Sequence, residues 1–314
     1  MTAGAIVRLL ELSNRWQMAT SPRFTLNNGI QIPAIGLGVL DRETRDQTTA
    51  AVESAIASGY RLIDTAASYL NERDVGEGIA RSGVTRSELF VTTKLWLSEY
   101  GYDKALRAFD NSLSKLGLDY VDLYLLHWPL PSDFEATIAS YQAAQTLLSE
   151  GRARAIGVSN FSASHLRTLT DRIEVTPAVN QIELHPSFQQ RALRQVHDEM
   201  GILTQAWSPI GGSVRRFADK GLGFDPLHHP TIARLASKHG KKPVHIVLRW
   251  DLQNGVSAIP KSFNAGRIAE NIDIFDFELS EGDMVMINAL DTGERVGPDP
   301  EVVSATTFPI KLED

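Results

Sequence analysis

Eight short apolar runs, each followed by a longer stretch of helical spacing, constrain this chain more than any other feature. The runs cover 34–39, 62–65, 90–95, 121–127, 153–159, 179–184, 202–207 and 256–260. Between the third and fourth, Leu106, Phe109, Leu113 and Leu116 recur at helical spacing, with Asp103 as the expected N-cap and Gly117 placed to end the helix. Similar apolar faces occupy 48–58, 138–148 and 192–200. Alternating strands and helices predict a parallel sheet, because each crossover must return over a sheet face. Eight such units predict an α/β fold of the (β/α)8 TIM-barrel type. Ahead of them, 24–26 and 30–32 flank Asn27-Asn28-Gly29 and predict a hairpin closing the barrel bottom.

The competing fold is a doubly wound sheet, whose nucleotide-binding form carries a Gly-x-Gly-x-x-Gly loop after its first strand. Gly36-Leu37-Gly38-Val39-Leu40-Asp41 fails at the sixth position, and no Gly-x-x-x-x-Gly-Lys-Ser/Thr loop is present. At 314 residues, one large domain over 23–314 is expected, with 1–22 as an extension that is disordered or packs as a short helix. Arg8 and Glu11 interrupt its apolar residues, which argues against a secretory signal, and Met18 offers an alternative translation start. Extra helices are expected at 243–253 and after the capping-box pair Ser280 and Asp283. The glycine-bearing segment 209–229 falls where a barrel places a mobile lid.

A net charge of −7 argues against non-specific nucleic-acid binding. No run approaches the roughly 18 apolar residues of a membrane span. The absence of cysteine excludes disulfides and thiol catalysis and permits a reducing compartment. The expectation is a cytoplasmic monomer acting on a small molecule, with no nucleic-acid or membrane partner.

Three successive strand ends carry chemistry. The second run ends in Asp64 with Tyr69 five residues on, the third carries Lys94, and the fourth delivers His127 before Trp128-Pro129. Together they form a set that can protonate a carbonyl oxygen. Hydride arriving at a carbonyl carbon leaves an alkoxide, so a proton donor must sit at the oxygen, and Tyr69 is the candidate. A phenol titrates near 10, but an ammonium at about 4 Å in an effective dielectric near 20 favours the phenolate by roughly 4 kcal/mol, about three pKa units. Asp64 is the counter-ion that keeps a buried Lys94 charged, and His127 would orient the carbonyl oxygen. Singly, each has a structural explanation: a buried ion pair, a core phenol, a strand cap. Their convergence on one barrel face favours catalysis.

The remaining strand ends supply a nucleotide site. Ser159, Asn160 and Gln181 could bond a carboxamide, and Trp207 offers a flat face for a nicotinamide ring. Lys261, Ser262 and Arg267 surround a helix start near Asn264, a combination suited to phosphate. Arg267 could clamp a 2′-phosphate, which favours NADP over NAD.

The phrases Gly59-Tyr60-Arg61-Leu62-Ile63-Asp64-Thr65-Ala66, Thr93-Lys94-Leu95-Trp96, Leu125-Leu126-His127-Trp128-Pro129, Gly157-Val158-Ser159-Asn160-Phe161, Asn180-Gln181-Ile182-Glu183-Leu184-His185-Pro186 and Ile259-Pro260-Lys261-Ser262 resemble the aldo-keto reductases over residues 24–299. That resemblance places the family's catalytic tetrad on Asp64, Tyr69, Lys94 and His127 without substitution. It implies NADPH/NADP+ held by Gly38, Ser159, Asn160, Gln181, Trp207, Ser208, Lys261, Ser262, Arg267, Glu270 and Asn271, with no metal. Ala206-Trp207-Ser208-Pro209, the compact loop after His127 and the short tail are similar to the bacterial 2,5-diketo-D-gluconate reductase branch. Trp207 stands where other branches carry tyrosine.

The function expected is NADPH-dependent reduction of small aldehydes and ketones, including dicarbonyls and keto-sugars. Val39, Leu40, Trp96 and Trp128 would wall the pocket. An NADP-binding regulatory or scaffold subunit is the alternative, since family likeness does not guarantee turnover. A metal-dependent hydrolase is less favoured, because His185, His197, His228 and His229 lack zinc spacing.

Overall fold

The structure is a computed structural model that describes residues 21–40, 47–216, 224–304, 306–308 and 310–312. The N-terminal extension up to residue 20, with the Met18 question, and positions 217–223 of the expected lid lie outside the described residues. A two-stranded antiparallel hairpin, β1 (Arg23–Thr25) and β2 (Gln31–Pro33), pairs Phe24 with Ile32. Its turn sits against strand starts: Asn27 donates to Pro177 O, just ahead of one strand, and Asn28 to Arg154 O, at the start of another. Leu26 and Ile32 pack with Leu62, Leu123, Leu125 and Val179 and plug the floor of the barrel.

Eight parallel strands follow: β3 (Leu37–Gly38), β4 (Leu62–Asp64), β5 (Phe90–Leu95), β6 (Val121–Leu126), β7 (Ala153–Ser159), β8 (Val179–Glu183), β9 (Leu203–Trp207) and β10 (Ser257–Ala258). They lie in chain order, and bridges from Ile35 to Ala258 and from Gly38 to Lys261 close the ring. β3 and β10 are shorter than the expected 34–39 and 256–260. The first strand changes partners along its length, with Ala34 and Gly36 bonded to Ala258 and Leu37 paired with Ile63, while Pro260 has no N–H for a ladder. A Cβ on Gly38 would stand 2.9 Å from Ile259 O, so this seam requires glycine.

Helices between the strands cover the outside. Helix Tyr102–Leu116 buries Phe109, Leu113 and Leu116 and ends at Gly117 in the left-handed region. Its capping residue is Gly101 rather than Asp103, which sits in the first turn where a carboxylate suits the positive end of the helix dipole. The extra helix Pro243–Gln253 forms as expected, and Ser280 and Asp283 make the reciprocal capping box of helix Glu281–Asn288. The 209–229 segment includes a short helix, Gly212–Arg216, and a 3-10 turn, Pro226–His228, before an additional helix, Pro230–His239. Among the described residues no helix is long and apolar enough to cross a membrane.

Period-two alternation sends Leu62 and Asp64 of β4 to the same face, and likewise Val179, Gln181 and Glu183 of β8, and Leu203, Gln205 and Trp207 of β9. Apolar members fill the bottom, and polar ones gather at the C-terminal mouth.

Candidate active site

Residues from three neighbouring strands meet at that mouth. Lys94 on β5 is wholly buried, and its Nζ lies 2.5 Å from Asp64 Oδ1, 2.9 Å from Thr65 O and 3.4 Å from the Tyr69 hydroxyl. Burial alone would push the Lys94 ammonium down. Asp64, with Tyr69 beside it, outweighs that effect and holds Lys94 above its ordinary value. Burial pushes the Asp64 carboxyl up, against the pull of Lys94 and of the Gln181 amide. Tyr69 ends a single 3-10 turn, Ala67–Tyr69, closed by Leu70 at φ 60°, and this turn folds the phenol back over the ammonium.

His127 follows β6, with its ring edge-on to Tyr69 at 5.6 Å and to Trp96 at 5.2 Å. Ser68 Oγ lies 3.3 Å from His127 Nδ1, so Nε2, on the other side of the ring, is the nitrogen suited to a carbonyl oxygen. All four tetrad residues expected from the sequence are therefore assembled. Ser68 was not foreseen, nor was Asn71, which donates to Val39 O at 2.9 Å and accepts from Thr65 Oγ1 at 2.8 Å. Ser68 lies in the same short turn as Tyr69 and Asn71 just beyond it at the start of the next helix, but His127 and Val39, which they meet, follow other strands.

Of the residues expected to wall the pocket, Trp96 is buried beside His127. Val39 and Trp128 are buried and Leu40 is half-buried. Phe308 from the C-terminal tail stands 6.0 Å from Trp96 and 5.9 Å from Trp128, completing an aromatic enclosure beside His127. No local pattern around Phe308 announces this contact.

Across the mouth, Gln181 Nε2 donates to Asp64 Oδ2 at 2.7 Å and to Gln205 Oε1 at 2.8 Å, leaving its own carbonyl as an acceptor. Ser159 Oγ donates to Gln181 O at 2.8 Å. Asn160 uses its amide group on His127 O and Ser159 Oγ, and its oxygen accepts the Trp207 indole N–H at 2.8 Å. Asn160 and Ser208 both adopt positive φ, 64° and 53°, immediately after β7 and β9. Such backbone costs of order 1–3 kcal/mol in a residue other than glycine and collects at functional sites. The partly exposed Trp207 face, the Gln181 carbonyl and the two strained strand ends make a cradle that fits a nicotinamide carboxamide.

Farther round the mouth, helix Ala265–Ile272 is capped by Asn264, which accepts from Arg267 N at 3.0 Å. Arg267 and Lys261 are exposed, Ser262 and Asn271 are buried, and Glu270 is paired with Lys242 at 2.5 Å. Two cations beside a helix start suit phosphate groups.

Residues 34–292 match the model of the aldo/keto reductase family. The chain is 54% identical over 290 residues to morphine 6-dehydrogenase of Pseudomonas putida, covering 92% of this chain and 97% of that protein. It is 46% identical to the glyoxal reductase of Bacillus subtilis, over 90% of this chain and 99% of the relative. The crystal structure of a Bombyx mori aldo-keto reductase in complex with NADP superposes with a TM-score of 0.83 at 38% identity, covering 94% of this chain and 100% of that one. Likeness of this extent, over a barrel whose mouth assembles the expected acid, ammonium and phenol, makes this chain an oxidoreductase of the aldo/keto reductase family.

Proposed function

We propose that this protein reduces small aldehydes and ketones to alcohols with NADPH, with Tyr69 as the general acid. The observation that carries this reading is the Tyr69 hydroxyl 3.4 Å from a buried Lys94 ammonium that Asp64 grips from behind. NADPH, when bound, supplies a hydride to the carbonyl carbon. His127 orients the carbonyl oxygen, Tyr69 delivers a proton to it, and Lys94 stabilises the phenolate that remains. Asp64 acts through Lys94 as a positioning residue. Ser159, Asn160 and Gln181 would hold the carboxamide and Trp207 the nicotinamide face. Gly38, Ser208, Lys261, Ser262, Arg267, Glu270 and Asn271 would hold the rest of the dinucleotide. The whole machine is carried by one domain over 23–314.

For substrate we keep dicarbonyls and keto-sugars, in line with the similarity to the 2,5-diketo-D-gluconate reductase branch and with the glyoxal reductase relative. The morphine 6-dehydrogenase relative favours a second reading, oxidation of a ring-borne secondary alcohol in the reverse direction, and the walls of Trp96, Trp128 and Phe308 support a flat or cyclic substrate.

The test is optical assay of NADPH consumption against methylglyoxal, aromatic aldehydes, diketones and keto-sugars, with NADP+ and cyclic secondary alcohols in the reverse direction. Tyr69→Phe is run in parallel and is expected to lower kcat about a thousandfold. NADPH affinity should remain within about twofold, since a phenyl ring keeps the packing and loses only the proton donor. Tight NADPH binding with no turnover of any substrate would favour the regulatory-subunit alternative.

A further inference from the structure

Trp207 is held at both ends of its indole. At one end its N–H donates to Asn160 Oδ1 at 2.8 Å. At the other the backbone of Gly297 presses on the six-membered ring: a Cβ added there would stand 2.7 Å from Trp207 Cη2 and 2.8 Å from Glu183 Oε2. Nothing larger than glycine lets the loop lie so close to the ring.

Glu183 holds the loop there. It pairs with Trp207 across β8 and β9, is fully buried, and takes no part in the tetrad. Its carboxylate accepts the Gly297 N–H through Oε2 at 2.9 Å and Oε1 at 3.2 Å, with His185 Nε2 3.3 Å from Oε1. Burial would push this carboxyl up, but His185, Ser213 and the Gly297 amide hold it below its usual value. A buried carboxylate bonded to a backbone amide fixes that amide more firmly than a neutral acceptor would.

We infer that Glu183 and Gly297 are positioning residues that set the tilt of Trp207, so that a loop far along the chain determines the platform against which the nicotinamide ring packs. The inference rests on the reading of Trp207 as that platform. A ring pinned by hydrogen bond at one edge and by backbone at the other is pre-organised to stack, and NADPH binding then loses less side-chain freedom.

The test is a double-mutant cycle on the full chain, using NADPH as the probe. The variants are Gly297→Ala, Glu183→Gln, Trp207→Ala, and each of the first two combined with Trp207→Ala. The readouts are NADPH affinity and energy transfer from tryptophan to bound NADPH. The chain has five tryptophans, so the Trp207 share of transfer is the difference between wild type and Trp207→Ala. Trp207→Ala is expected to weaken NADPH about tenfold, the scale of one aromatic stack. Gly297→Ala should weaken it about three- to fivefold and reduce the Trp207 share of transfer, with no further effect once Trp207 is alanine. Glu183→Gln should move both readouts the same way by less, and it carries the cycle if Gly297→Ala does not fold. If Trp207→Ala weakens binding but the clamp variants have no effect, or the same effect in both backgrounds, the clamp is overturned and the platform reading stands. If Trp207→Ala leaves NADPH affinity unchanged, the platform reading and the clamp both fall.

Discussion

Gln181 donates to Asp64 Oδ2 at 2.7 Å, on the side of the carboxylate away from Lys94. A residue proposed for the cofactor site therefore buttresses the ion pair beside the proposed proton donor Tyr69, and Gln205 extends the chain of bonds to Ser257 Oγ at 3.1 Å. Catalytic and cofactor sides share one buried polar layer, in which every group depends on its neighbours for compensation.

The first prediction follows from that dependence. Lys94→Met leaves the Asp64 carboxylate buried with only amide support, a defect worth about 3–5 kcal/mol. Thermal midpoints should fall by about 10 °C, at roughly 2–4 °C per kcal/mol for a chain of this class. Adding Asp64→Asn should restore most of that loss while activity stays absent. Differential scanning calorimetry beside the NADPH assay checks this. A double variant no more stable than Lys94→Met would show that the orphaned carboxylate is not the source of the defect.

Ser68 Oγ stands 3.3 Å from His127 Nδ1. Ser68→Ala removes one neutral hydrogen bond and lets the imidazole rock. A loss of about 1 kcal/mol in orientation, roughly fivefold in kcat, is expected, with NADPH affinity unchanged. Steady-state kinetics beside fluorescence titration separates the two effects, and equal losses in both would assign Ser68 to the cofactor site instead.

Arg267 is exposed on the first turn of helix Ala265–Ile272. As the 2′-phosphate clamp, its replacement by alanine should cost NADPH about ten- to a hundredfold in affinity, the scale of a charge-assisted bond, and NADH little. Titration with both cofactors checks this. A uniform loss would move Arg267 to the shared pyrophosphate.

Much of this is legible in the sequence. Asp64, Lys94 and His127 could be placed because strand periodicity fixes the face a residue points to, and a strand's C-terminal end fixes its height in the barrel. Tyr69 was legible because only five residues separate it from Asp64. The supporting contacts were not. Gly297 meets Glu183 across 114 positions, and Phe308 reaches Trp96 and Trp128 from the tail. Glycine and phenylalanine at such places carry no local signal, since their meaning depends on which loops the closed barrel brings together. Asp103 shows the opposite error: a good capping residue two positions too far along, because the helix starts at Tyr102 behind Gly101, whose N–H donates to Ser140 Oγ at 2.8 Å.

The last prediction concerns acid. His197 is fully buried, and burial, with Arg194 adding to it, pushes its pKa down to about 3. Its Nε2 accepts from Asn180 Nδ2 at 2.9 Å and its Nδ1 lies 2.8 Å from Thr204 Oγ1, so the neutral ring is the one the fold uses. In the unfolded chain a histidine titrates near 6.5. Between about pH 6.5 and 3 the unfolded state holds a proton that the native state refuses, so stability rises with pH across that window. The contribution is complete above about pH 6.5 and is lost at about 1.4 kcal/mol per pH unit as the pH falls toward 3. Asn180 also donates to Phe161 O at 2.8 Å, so protonation of His197 would loosen the segment that carries Ser159 and Asn160. Urea unfolding at pH 6.5 and 4.5 should show wild type losing about 2 kcal/mol more than His197→Gln, which can keep both bonds without titrating. Carboxylates titrate in both proteins and cancel in the difference, so equal losses would remove His197 as the acid-sensitive group.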